Sequence, residues 1–256
     1  QRANAINLAA RLLYLVKTDV RLASFDGGIK HNAVPGNAEV VFATDKFDSL
    51  KEGLDALIAD LKEEYRVEDP GLTVNITEAT ADQVYTKDLS DSVIDMVMAL
   101  PDGVQYMSMD IEGLVQTSLN NAVILEEDGK LVLTASVRSA SSSSLREILN
   151  VVTVIANRMG AVAREYSGYP AWQYEAVSPL RDIAEKIYVD MYGKEPHITS
   201  IHAGLECGLL KGILPDTDMI SYGPSIFDAH TPKEHMYISS VGRVWEYTKK
   251  LLAALK

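Results

Sequence analysis

Apolar positions along the chain switch between a helical and a strand-like period. Ile6, Leu8, Ala9, Leu12, Leu13 and Val16 lie at helical spacing over residues 4–17. Residues 20–25 alternate as a strand, and Asp26-Gly27-Gly28 is a turn signal. Residues 29–34 and 38–44 read as strands on either side of Pro35-Gly36. Residues 46–65 predict an amphipathic helix with Leu50, Leu54, Leu57, Ile58 and Leu61 on one stripe. A strand is predicted over 72–77, then a helix over 91–100 with Ser90 placed to cap it. Residues 114–125 and 130–136 read as a hairpin about Glu127-Asp128-Gly129. A helix over 143–159 and a strand over 161–166 complete this part.

The order helix, antiparallel strands, helix, strand thus occurs twice. His31-Asn32-Ala33-Val34 also echoes Asn120-Asn121-Ala122-Val123. An internal duplication and a chance likeness of short strings both stay open. The expected product is an α+β, two-layer domain with helices covering one face of an antiparallel sheet. Its other face needs cover from elsewhere.

Beyond Tyr169-Pro170 the pattern changes. Ser178 caps a predicted helix with Pro179 at its first position, followed by Ile183, Ile187, Val189 and Met191. A strand over 197–202, a helix over 205–214, a strand over 218–222 and a closing helix over 241–255 follow. Alternating strands and helices predict a mainly parallel α/β sheet. So few strands are a thin basis for an independent core.

Composition narrows the class. A chain of 256 residues makes one large or two ordinary domains. Hydrophobic and charged shares of 47% and 23% are those of a soluble globular protein. No apolar run reaches the ~18 residues of a membrane span, and residues 1–17 lack a signal-peptide layout. With 36 acidic against 24 basic residues, the net charge of −12 argues against a nucleic-acid partner and fits a cytoplasmic enzyme. The single cysteine, Cys207, excludes an internal disulfide and a Cys-rich zinc site, and reads as a small buried apolar residue.

Candidate chemistry concentrates in Ile-His-Ala-Gly-Leu-Glu-Cys-Gly (201–208), Asp-Met-Ile-Ser-Tyr-Gly-Pro (218–224) and Asp-Ala-His-Thr-Pro-Lys-Glu-His (228–235). His230 sits between Ala229 and Thr231 with Pro232 stiffening the loop, a setting that serves an ordinary loop histidine or a metal ligand. Arg138 ends a strand-like run. It is a solvated charge, or a fork that grips a carboxylate in two parallel bonds. Asn32 is a turn residue or a ligand group. Gly204 makes a tight turn before a helix and leaves room for a substrate near the helix N-terminus. His202 and Glu206 fit as supporting groups or equally as an ordinary strand histidine and helix-start glutamate, and are left out of the candidate site. No nucleophile elbow, dinucleotide fingerprint or phosphate loop is present.

In combination the three C-terminal motifs resemble the aminoacyl-histidine dipeptidases (peptidase D, bacterial carnosinase-like) of the di-zinc aminopeptidase and carboxypeptidase superfamily. The likeness reaches back to Arg2-Ala3-Asn4-Ala5. It implies a lid and dimerisation domain over residues 1–174, followed by the C-terminal segment of a split α/β zinc-peptidase catalytic domain over 175–256. It implies His230 as a zinc ligand, with two zinc ions per complete site. Arg138 would hold the substrate carboxylate, Asn32 would reach the substrate from the lid of this or of the partner subunit, and Gly204 would line the substrate site. The family's His-x-Asp motif does not occur here, and neither Glu63-Glu64 nor Glu126-Glu127 follows one, so the chain reads as a C-terminal fragment that is inactive alone. The expected partners are a small dipeptide and a second copy bound through the lid. A tripeptide aminopeptidase, an acyl-amino-acid deacylase and a non-catalytic dimerisation module remain alternatives.

Overall fold

Residues 2–166, 168, 170, 172–199, 206–229, 231 and 233–255 are described by the computed structural model of the chain. They divide into two compact units, Gln1–Met107 with Val115–Ser167, and Ser108–Leu114 with Gly168–Lys256.

The first unit is a layer of helices on one antiparallel sheet. Helix α1 (Ala5–Val16) is capped by Asn4, whose side-chain oxygen accepts from the N–H groups of Ile6 and Asn7. After a 3₁₀ turn come β1 (Arg21–Gly27), β2 (Ala38–Ala43), α2 (Phe47–Glu64) and α3 (Lys87–Ala99). Strands β3 (Gly103–Met107), β4 (Val115–Glu127) and β5 (Lys130–Ser139) precede α4 (Ser142–Arg158). The long β4 is the spine of the sheet. β5 pairs along almost its whole length, while β3 takes its start and β1 its later part on the other edge. β2 then pairs with β1. Ile6, Ala10, Leu13 and Val16 of α1 pack with Val93, Ile94 and Val97 of α3 over Leu22 and Phe25 of β1 and Ile124 of β4. Leu50 and Leu54 of α2 join this core from the predicted stripe. The mixed helix and antiparallel-sheet fold expected from the sequence is the one observed.

Local expectations fail where backbone partners decide against the pattern. Residues 29–34 are no strand. Gly28 turns the chain at φ 71°, a turn occupies 31–33, and Pro35 offers no N–H. The echo between 31–34 and 120–123 is therefore one of letters, since the second segment lies in β4. Residues 72–77 and 161–166 form no ladder among the described residues. Beside β1, the Tyr85 N–H takes the Leu22 carbonyl at 2.7 Å. Helix α3 begins earlier than expected and is capped by Thr86. Ser90 is instead fully buried within it, and its hydroxyl accepts the Leu22 N–H at 3.0 Å.

In the second unit, Ser178 caps α5 (Pro179–Tyr192), which ends on Gly193 at φ 66°. Helix α6 (Glu206–Ile213), strands β6 (Ile226–Phe227) and β7 (His235–Met236), and α7 (Ile238–Ala254) follow. Ala184, Tyr247 and Leu251 form a small core with Ile183, Ile187 and Ile220. The expected parallel sheet is absent among the described residues, where β6 and β7 form only a short antiparallel pair. The segment 218–222 finds no ladder, and 197–199 is not strand; residues 200–202 lie outside the described set.

Gly28 fixes how the first unit closes. A Cβ there would lie 1.9 Å from the Ala122 carbonyl oxygen, in a backbone conformation that side chains also disfavour. Gly28→Ala should cost about 2–5 kcal/mol through overpacking and a left-handed backbone. Urea unfolding of the first unit checks this, and an unchanged midpoint would refute it.

Candidate functional site

Side chains alternate faces along β4 and β5. Thr117, Leu119 and Asn121 are buried, and the Thr117 and Ser139 hydroxyls share a hydrogen bond of 2.8 Å on that inner face. Ser118 and Asn120 therefore stand on the opposite face, as do their ladder partners Arg138 and Ser136. Arg138 is exposed there, with no ion pair among the described residues. Asn120 is its diagonal neighbour across the pair, roughly 7–8 Å away by sheet geometry.

The loop carrying Asn32 is tied to the same strand. The Asn120 amide donates to the Ala33 carbonyl at 2.8 Å. Gly28 donates to Asn37 at 3.1 Å, and Ala5 to Pro35 at 3.0 Å. Asn32 itself is exposed. Asn120, on the face that carries Arg138, thus ties this loop at the residue next to Asn32.

Beneath this face runs a buried polar network that the sequence reading missed. The Asn4 amide donates to Asp102 Oδ1 at 2.9 Å and to the Asn121 carbonyl at 3.0 Å. The Asn121 N–H also donates to Asp102 Oδ1, at 3.0 Å. The fully buried Asn121 amide donates to Asn7 Oδ1 and the Pro101 carbonyl, leaving its own oxygen without a partner. Burial pushes the Asp102 carboxyl above its ordinary value, against the Asn121 N–H and the Asn4 amide, which favour the charged form. Repeated asparagines at 120–121 and at 4 and 7 were the available signal. Nothing in the sequence pairs them with Asp102.

In the second unit, the Asp218 carboxylate accepts from the Ser178 hydroxyl at 2.7 Å and the Leu180 N–H at 2.8 Å, securing the start of α5. Partial burial alone would raise its pKa, but these donors and the Met219 N–H hold it below its ordinary value. Strands β6 and β7 bracket the segment containing His230. Asp228 stands there at φ 52°, its carbonyl accepting from the Thr231 hydroxyl at 2.7 Å and the Thr231 N–H at 3.1 Å. His230, Gly204 and His202 lie outside the described residues. Among those described, no group of three or more His, Cys, Asp or Glu is placed to hold a metal ion, so they do not by themselves fit the zinc centre that the resemblance implies. Among the described residues, no helix is long and apolar enough to cross a membrane.

Comparison with known proteins adds an independent measure. A family described as a peptidase dimerisation domain matches residues 1–73. The cytosol non-specific dipeptidase of Escherichia coli (strain K12) is 34% identical over 254 residues, 97% of this chain and 52% of that protein. The crystal structure of aminoacylhistidine dipeptidase from Vibrio alginolyticus superposes with a TM-score of 0.89 at 35% identity, covering 99% of this chain and 53% of that one. The resemblance read from the C-terminal motifs is thus borne out, and the chain spans about half the length of the relatives it matches.

The raised carboxyl of Asp102 gives a pH test. The folded state holds this proton more tightly than the unfolded chain, so the group's contribution is present below its ordinary pKa of 3.8 and is lost as pH rises through the higher folded value. Asp102→Asn removes that titration. Relative to the variant, the wild type should gain stability as pH falls from about 7 to about 3.5. Parallel thermal melts across that range check it, and a constant difference would rule it out.

Proposed function

We propose that this chain provides the lid and the closing part of the catalytic domain of a metal-dependent dipeptidase acting on Xaa-His dipeptides. The observation that carries this is the likeness to two dipeptidases over nearly the whole chain. The placement of Arg138 on the open sheet face supports it. In this reading residues 1–174 are the lid and 175–256 the catalytic segment. Arg138 grips the substrate's terminal carboxylate through two parallel N–H···O bonds, which an ammonium group cannot reproduce. Asn32 contacts the substrate from its exposed loop, and Gly204 leaves space beside it. A carboxylate clamp at a fixed distance from the scissile bond restricts the enzyme to short peptides.

His230 serves as one zinc ligand, and the remaining ligands and the general base come from sequence outside this chain. The second unit supports such a complement. Its core is small, and it leaves Ile213, Ile238 and Trp245 exposed at 76%, 84% and 61%. The lid pairs with a second copy to form a homodimer, a reading supported by the match to a peptidase dimerisation domain. The compartment is cytoplasmic, in keeping with the name of the Escherichia coli relative.

The test is hydrolysis of Xaa-His dipeptides by the full-length enzyme after chelation and zinc replacement. Activity should vanish with the metal and return with it, and His230→Ala should abolish both zinc binding and turnover. Arg138→Lys should raise KM by about 2 kcal/mol or more in binding, roughly thirtyfold. An unchanged KM would remove Arg138 from the substrate site, and full activity in the chelated enzyme would end the metallopeptidase reading. Sedimentation showing only monomer at high concentration would refute the dimer.

A further inference from the structure

Between Gly28 and Pro35 the loop has little to define its shape. The Ala33 N–H closes a turn onto the Lys30 carbonyl at a long 3.3 Å, and Ile29, Asn32 and Val34 are exposed. The hydrogen bond from Asn120 to the Ala33 carbonyl attaches residues 29–34 to the sheet. It falls on the residue next to Asn32.

Asparagine is a poor strand former, and Asn120 sits within a 13-residue strand. Its amide orientation is set from both ends. The Asn4 amide approaches its oxygen at 3.4 Å, so its NH₂ faces the Ala33 carbonyl. Turning the amide over would oppose two oxygens at the loop and two NH₂ groups at Asn4. Asn4 is fixed in turn by Asp102 and the Asn121 carbonyl. The attachment is therefore built on a buried network.

We propose that Asn120 is a positioning residue for substrate binding: by holding the Ala33 carbonyl it sets where the neighbouring Asn32 is presented. This rests on the assignment of Asn32 to the substrate site. Asn120 touches no substrate and acts through the loop. Freed of it, residues 29–34 sample many conformations, and binding is weakened by the fraction that no longer presents Asn32 correctly.

The test uses the full-length enzyme and an Xaa-His dipeptide. Asn120→Asp keeps the size of the side chain but sets a carboxylate against the Ala33 carbonyl, and Asn120→Ala removes the donor. Both should raise KM by about tenfold while kcat changes far less, as expected when a competent loop state becomes rare. On an Asn32→Ala background the same changes should add almost nothing, because the two residues act as one unit. Fully additive effects, or an equal fall in kcat with KM unchanged, would overturn the proposal and leave a structural role. A second readout needs no activity. Amide hydrogen exchange of this chain should quicken in residues 29–34 in Asn120→Asp while β4 and α1 stay protected, and unchanged exchange there would overturn the attachment itself. If the wild type cleaves no dipeptide, the dipeptidase reading fails, and the exchange experiment still decides whether Asn120 holds the loop.

Discussion

One side chain, that of Asn4, holds the first unit's parts in register. Its oxygen caps α1, and its amide reaches Asp102 just ahead of β3 and the backbone of β4 at Asn121. A carboxamide has two hydrogens for these acceptors, so one is shared with the Asn120 oxygen, the longest contact at 3.4 Å. No aliphatic residue could satisfy a helix end and a strand bulge together. The cost is a buried carboxyl and the orphaned Asn121 oxygen, of the order of 1–3 kcal/mol for the latter. In return, the position of α1 over the sheet is specified by direction as well as by hydrophobic contact.

The register of β4 shifts between Asn121 and Val123, and this bulge turns the Ala122 carbonyl onto Gly28. The loop after β1 therefore leaves the sheet where β4 is irregular, and Asn120 meets it one residue before the bulge. Hydrophobic packing fills the helix side of the sheet. The other side leaves Arg138 exposed and Asn120 partly so.

The sequence made helices legible because a helix satisfies its backbone within itself. The stripe of α2, the Ser178-Pro179 start of α5 and the Asp128-Gly129 turn were readable from a few letters each. Strands depend on partners elsewhere, and the errors fall there. Residues 72–77, 161–166 and 218–222 carry strand-like letters but find no ladder among the described residues, and 29–34 is bent away by Gly28. Arg138 was readable as a candidate because a strand-end arginine before serines is locally conspicuous. Asn120 was not, because its importance comes from a carbonyl 87 residues away in sequence. His230 and Gly204 stood out from their loop and turn settings and from motif likeness, and both lie outside the described residues.

The β4–β5 hairpin turns through Asp128 and Gly129, both at positive φ, and its tip from Glu126 to Lys130 is exposed. Arg138 stands eight positions beyond Lys130, about 27 Å along an extended strand. The tip is thus an attachment point at which a fluorophore or affinity handle can be carried far from Arg138. The same rigid ladder that separates the two ends makes a probe at the tip report on the orientation of the whole sheet.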